Sequence, residues 1–329
     1  MFGTSRHDDG LAMPLHEQGV ALPNHTEAHW RVQAGIRRRG TDERILSLHL
    51  RGFSLPAIQQ RLKVAHDVDV PLSYLASVVH APTHEVTVWR TRPLDANYPV
   101  MCLASHQLKS GPCDEAPEIV CVAMGITMAG EKEVLGFWLT SKPDTAFRCR
   151  VLRDLRNRGV KNVLIVCTGE PVDFGHAVHT VFPRTRVLPV IGKVVTDMLE
   201  GVPEAQRAEV GAALKRIYRS VGIEETERHR REFETRWGSA NFALSQLAVF
   251  LDYPAEVRKV VVTACGVMEA MISSFGKVRR RLEFHADGTS TTQLIYLAIA
   301  GTCSGWKMPV KRWKPALKQL RSRFGHRLS

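Results

Sequence analysis

The stretch "NVLIVCTGEPVDFGHAV" occupies residues 162–178. Val163, Leu164, Ile165, Val166 and Cys167 are apolar without a break, as in a strand covered on both faces. The run stops at Thr168-Gly169-Glu170-Pro171, and helical spacing follows over 174–181. Open α/β sheets place their chemistry at the carboxyl end of a central strand. Here a threonine and a glycine hold that place. Upstream, "YPVMCLAS" (98–105), "EIVCVAMGIT" (118–127) and "EVLGFWLT" (133–140) are apolar runs of strand length. The last two are joined by "MAGEKE", in which Gly130 is available for a positive φ. "TAFRCRVLRDLRNRG" (145–159) carries Phe147, Val151, Leu152 and Leu155 on one helical face and ends at Gly159. Downstream, "RVLPVI" (186–191) is a short strand. The element order is β-β-β-α-β-α-β.

Three consecutive strands followed by alternating α and β is the order of ribonuclease-H-like domains. The expected fold class is therefore α/β: a ribonuclease-H-like mixed sheet over 98–191, a helical insertion over 192–262, and core helices over 263–300. The insertion reads as helical from "EAQRAEVGAALKRIYRS", "EETERHRREFETRWG" and "NFALSQLAVFL". A helix starting near Gly266 carries Glu269, and "TTQLIYLAIAG" (291–301) is the last helix before a basic C-terminal tail over 301–329.

Residues 1–35 are polar with scattered His, Pro and Gly, and read as a poorly ordered arm. Residues 36–92 read as a helix-turn-helix module. Thr41 is the expected N-cap of a helix with Ile45, Leu46, Leu48 and His49, closed by Gly52 as a left-handed C-cap. Ser54 caps a second helix with Leu55, Ile58 and Leu62 on one face. A third helix is expected over 73–86, with Leu75, Val78 and Val79 inward and Ser73, Tyr74 and Ser77 available to read base edges.

The 329 residues are 44% hydrophobic, enough for a packed core and against disorder. No unbroken run approaches the roughly 18 apolar residues of a membrane span, and the first residues lack the apolar segment of a signal peptide. A cytoplasmic, nucleoid-associated protein is expected. The seven cysteines are odd in number and none is in CxxC spacing, which reads as small buried hydrophobes rather than a zinc site. The net charge of +12 is concentrated: residues 277–329 carry twelve Lys or Arg against Glu283 and Asp287. A one-sided basic segment with interleaved aromatics points to a polyanion, most often nucleic acid. Lys277, Arg279, Arg280, Arg281, Lys307, Lys311 and Arg312 are the expected phosphate contacts.

Several stretches in order resemble the Mutator-type insertion-sequence transposases of bacteria: "RGFSLPAIQQRL", "WRTRPLDANYPV", "AMGITMAGEKEVLGFWLT", "VLRDLRNRGVKNVLIVC", "HTVFPRTRV", "LKRIY", "FETRWG", "YPAEVRKVVVT", "LIYLAI" and "GWKMPVKRWKPALKQLRSRFGHR". The resemblance runs from about residue 35 to the end, and the family's members are usually longer at the N-terminus. It implies a ribonuclease-H-like core with two Asp and one Glu holding two Mg²⁺ for phosphoryl transfer. It also implies duplex DNA, the terminal repeats of an insertion element, as partner, and action as dimers or larger assemblies. The family's first Asp stands in a phrase like Y-P-V-x-x-x-D, which is "YPVMCLASHQLK" here and puts Ala104 at that place. The second stands in L-I-x-x-x-D-G, which is "LIVCTGE" here and puts Gly169 there. A family Cys and His after the fifth strand correspond to Pro189 and Gly192 in "PVIG". The Glu remains, as Glu269 in "ACGVMEAMI".

Two of three metal carboxylates are thus replaced. The expectation is a transposase-like DNA-binding protein without strand-cutting activity and without a resident cofactor. Alternatives are an active transposase with a shifted metal site using Glu170, with His106 and Asp173 nearby; a DNA-binding regulator or inhibitor subunit, alone or mixed with an intact relative; and a non-functional remnant.

Overall fold

A computed structural model describes residues 39–66, 69–79, 83–109, 118–238, 244–284, 291–303, 305–306 and 308–327. The expected N-terminal arm and Lys307 lie outside these residues.

The sheet has five strands: β1 Asn97–Lys109, β2 Glu118–Ile126, β3 Lys132–Thr140, β4 Asn162–Thr168 and β5 Arg186–Pro189. Their spatial order is β3-β2-β1-β4-β5. β1 pairs antiparallel with β2 and parallel with β4; β2 and β3 are antiparallel, and β4 and β5 parallel. The β2–β3 turn closes through Thr127 N–H to Glu131 O at 2.9 Å and Gly130 N–H to Thr127 O at 2.9 Å, with Gly130 at φ +86 as its sequence suggests. The element order predicted from 98 to 191 is the one observed, in a mixed α/β fold.

Helices α5 (Thr145–Asn157) and α6 (Pro171–Val181) cover one face of the sheet around Met101, Leu103, Val151, Leu155, Val166 and Phe174. On the other face Val100, Cys102, Val122, Ile165 and Cys167 meet Val260, Ala264, Met268 and Met271. Those last four belong to α11 (Ala255–Phe284), a continuous helix of 30 residues. The sequence reading starts a helix near Gly266, and the structure corrects this. Gly266 is exposed within the helix, and the buried spacing around it is unbroken, so packing on the sheet carries the helix through it. Residues 255–276 also have the length and average apolarity of a membrane span. Here their buried side lies on the sheet.

Helices α7 (Ile191–Glu200), α8 (Glu204–Arg219), α9 (Ile223–Trp237) and α10 (Leu244–Leu251) form the helical segment between β5 and α11. Its buried anchors are Val210, Leu214, Ile217, Phe233 and Phe250, which join the core on the α11 face. α12 (Thr291–Cys303) is buried along Leu294–Ala300. The basic C-terminal segment is not an open tail. α13 (Trp313–Phe324) packs on α11 through Trp313, Ala316 and Leu320. Trp313 Nε1–H donates to Met128 O at 2.9 Å, and Val310 N–H donates to Gly130 O at 2.9 Å, so the segment docks on the β2–β3 turn.

Ahead of the sheet, α1 (Arg39–Leu50), α2 (Leu55–His66) and α3 (Leu72–Val79) share a small core of Ile45, Ile58, Leu62, Val70, Leu75 and Val79. α1 also packs on α11 and α12. Ser54 Oγ accepts from Ala57 N–H at 3.4 Å, and Gly52 has φ +90, both as expected. Thr41 lies inside α1 rather than at its cap. Within the span predicted as one helix over 73–86, the described residues form α3 and the start of α4 (Thr83–Thr91), and residues 80–82 lie outside the described residues.

α4 is tied to the sheet by a buried polar group from the "WRTRPLDANYPV" stretch. Arg92 donates to Glu133 Oε1 at 2.8 Å, to Val134 O at 2.7 Å and to Trp89 O at 2.8 Å. Tyr98 O–H donates to Glu133 Oε2 at 2.7 Å. Burial, followed by the Glu133 charge, pushes the Tyr98 phenol above its ordinary value.

Candidate functional site

The register of the two central strands decides how the motif positions meet. Leu103 of β1 stands opposite Thr168 of β4. That is the last pair of the ladder: Ala104 follows it within β1, and Gly169 follows it as the first residue after β4. Ala104 faces the α11 side, where it packs against that core. Glu269 of α11 comes to the same rim from above: a β-carbon built on Gly192, at the start of α7, would stand 3.4 Å from Glu269 Oε1. The three positions singled out in the sequence, 104, 169 and 269, thus converge at the carboxyl end of β4.

Glu269 is exposed overall, but its carboxylate rests against the Gly192 backbone and above buried thiols. Partial loss of water raises its proton affinity, and charge on Cys265 adds to this. Gly169 is not in a left-handed conformation. A β-carbon there would meet Cδ of Lys193 at 3.3 Å, and the Lys193 ammonium bonds Asp197 Oδ1 at 3.0 Å. A lysine stem thus lies where a second carboxylate would project.

The neighbouring acids are engaged elsewhere. Arg148, buried on the opposite face beneath α6, donates to Glu170 Oε2 at 2.7 Å and to Asp173 Oδ2 at 3.2 Å. Glu170 is close enough to Cys121, on that same face, to help burial push its thiol up to about 12. Glu170 therefore sits across the sheet from Glu269. His106 is on the α11 side of β1, with its ring 6.2 Å from that of Phe275.

One layer below the rim lie three cysteines. Cys102 and Cys167 are two residues before Ala104 and Gly169, directly opposite each other in register, and Cys265 is one helical turn before Glu269. Their sulfurs lie within 4.8 Å of one another. Cys–Cys spacing in the sequence gives no hint of this. The only signal is that each cysteine precedes a motif position by one step of its own element's periodicity, two in a strand and four in a helix.

Of the expected DNA contacts, Ser73 and Ser77 are exposed on α3, while Tyr74 is half-buried against the three-helix core. The Ser77 hydroxyl donates to Tyr74 O at 2.8 Å. Lys277, Arg279, Arg280 and Arg281 fall within the last turns of α11; their side chains lie outside the described residues. Lys311 and Arg312 are exposed just before α13, Arg312 at φ +66 with its Nε 3.9 Å from Glu256 Oε2. Lys314, Lys318 and Arg321 extend the exposed basic side of α13.

The family model for "Transposase, Mutator family" matches residues 17–308. The chain belongs to the Mutator family of transposases. It is 29% identical over 299 residues to the transposase for insertion sequence element ISRM3 of Rhizobium meliloti (strain 1021), a match covering 87% of this chain and 74% of that one. A probable transposase for an insertion sequence element of Corynebacterium diphtheriae is 25% identical over 339 residues, covering 94% and 96% of the two chains. A probable transposase for an ISRM3-like element of Sinorhizobium fredii is also 29% identical.

Proposed function

We propose that this chain is a transposase-like protein that binds duplex DNA at insertion-element ends and does not cut it. The observation that carries the reading is the composition of one rim: an alanine and a glycine directly after the last β1–β4 pair, with Glu269 approaching Gly192 nearby. The strand order β3-β2-β1-β4-β5 and its mixed polarity support a ribonuclease-H-like core, and the α1–α3 unit supports a helix-turn-helix role for α3.

The pair of Mg²⁺ ions that such a core implies does not fit the residues present. Hard cations need several oxygen ligands, and bridging two ions needs shared carboxylates. The rim offers one carboxylate, a methyl group, a glycine and the stem of Lys193. Glu170 and Asp173 are held by Arg148 on the other face. Transition-state stabilisation in phosphoryl transfer comes almost entirely from positioned charge, so loss of two of three charges removes the reaction rather than slowing it.

The test pairs two assays on DNA carrying element ends. A mobility shift is expected in low salt. No nicking or strand joining is expected with Mg²⁺ or Mn²⁺. Cleavage by the unaltered protein that disappears in Glu269→Ala would overturn the inactive reading; absence of binding by folded protein would overturn the DNA reading.

A further inference from the structure

We propose that Cys102, Cys167 and Cys265 form a thiolate site for one Zn²⁺ ion, joining β1, β4 and α11 beneath the rim of the degenerate centre. The geometry carries this. The three sulfurs already lie within 4.8 Å of one another. Zn–S bonds of about 2.3 Å put converging thiolates roughly 3.8–4.0 Å apart, so closing on an ion asks for less than about 1 Å from each pair. All three residues are buried, and each comes from a different element of the same core. Three independent elements fix the sulfurs without a CxxC loop, which is why spacing in the chain is silent about them.

The ion class follows from the donors. Thiolates select Zn²⁺ and other soft cations and are poor ligands for Mg²⁺. Access is short, because the residues two positions beyond Cys102 and Cys167 are Ala104, with only a methyl group, and Gly169, with no side chain, both only half-buried. Glu269, one turn above Cys265, is the nearest carboxylate for a fourth position. Its charge is felt at Cys102, and charge at Cys265 is felt by Glu269. Cys265 is held well below the usual thiol range because Cys102 and Cys167 direct hydrogen bonds to it. Contact with Cys102, then with Cys265, and burial push Cys167 up. Zn²⁺ binding would displace the thiol protons to solvent, making affinity rise with pH.

The inference stands apart from the proposed function: DNA binding by α3 and the basic segments does not need these sulfurs, and the failure of either leaves the other in place. The experiment uses the full chain, purified with a non-thiol reductant and stripped by chelator. It is titrated with Zn²⁺ against a chromophoric competitor, and with Cd²⁺ while following thiolate-to-metal charge transfer. One ion per chain is expected, undiminished by excess Mg²⁺. Cys102→Ala, Cys167→Ala and Cys265→Ala should each weaken binding by more than the roughly 10–100-fold that loss of an outer-shell partner costs. Cys121→Ala, on the opposite face, should leave it unchanged. No charge-transfer band in folded protein, or an equal band in Cys167→Ala, overturns the site. Should the variants fail to fold, the unaltered chain decides: Zn²⁺ must raise its Tm and chelator must reverse the rise, and an unmoved Tm overturns the proposal.

Discussion

Putting both aspartates back, Ala104→Asp with Gly169→Asp, is the sharpest perturbation of the rim. Gly169 is not left-handed, and its new β-carbon would meet only the flexible stem of Lys193 at 3.3 Å, so the backbone accepts a side chain. Ala104 already carries a β-carbon on the correct face. The cost is electrostatic. Two carboxylates about 4 Å apart repel by about 4 kcal/mol at an effective dielectric of about 20, and Glu269 adds a third charge. The double variant should therefore be destabilised by a few kcal/mol in chelator. Mg²⁺ reverses the sign. At a concentration of about 100 times the dissociation constant, binding to the native state adds about 2.7 kcal/mol. For a domain approaching this size each kcal/mol moves Tm by about 2–4 °C, giving a rise of about 5–10 °C. The unaltered protein should move by less than about 1 °C on the same scale. Thermal melts of both proteins across a Mg²⁺ series, followed by tryptophan fluorescence, make the comparison. An equal rise in the unaltered protein, or none in a folded double variant, would refute the assignment of 104 and 169 as the vacated positions.

Four further outcomes are expected. Glu269→Gln should raise stability relative to the unaltered protein above the carboxylate range and leave it unchanged below. Its folded-state proton affinity is raised, so the native state holds more protons than the unfolded one and stability falls as pH rises through that range; melts at acid and neutral pH check the sign. Glu133→Ala should cost about 3–5 kcal/mol in urea unfolding, because it strands Arg92, whose side chain is only 6% exposed. Neutralising Arg279, Arg280 and Arg281 together should flatten the salt dependence of DNA affinity by about 2.7 log units per log unit of salt, about 0.9 for each phosphate contact, without altering sequence preference; an unchanged slope in mobility shifts would place these arginines away from DNA. Co-expression with an intact relative should lower that relative's transposition frequency in a mating-out assay, if mixed assemblies form on paired ends.

The sheet was legible because its signals are local and redundant. Each strand between Tyr98 and Pro189 is an apolar run bounded by turn chemistry, and Gly130 and Gly159 mark turns that need positive φ, at +86 and +121. The long helix was less legible. Gly266 looks like a break on propensity, but burial of Val260, Ala264, Met268 and Met271 against the sheet outweighs a local preference of about 1 kcal/mol. The docking of Trp313 on the β2–β3 turn had no local signal at all, since it joins residues far apart in sequence. The engagement of Glu170 and Asp173 by Arg148 was not legible either. Glu170 lies beyond β4, at the start of α6, where the buried Arg148 of α5 reaches it.

The two layers at the carboxyl end of β4 answer to different constraints. The lower layer, Cys102, Cys167 and Cys265, is buried and close-packed, and a change of volume there is felt through the whole core. The rim above it, at 104, 169 and 269, is partly open. Carboxylates at a rim are tolerated only while a cation neutralises their mutual repulsion; without one they weaken the fold. Under the proposed function, Ala and Gly at 104 and 169 would remove that repulsion from a metal-free protein. Under the proposed function, that asymmetry would let the chemistry be lost while the sheet, the α11 face and the helices that carry basic residues remain. It also means that retention of the fold is no argument for retention of cleavage. The activity of this chain has to be judged at the rim, where one carboxylate stands and a lysine stem fills the neighbouring space.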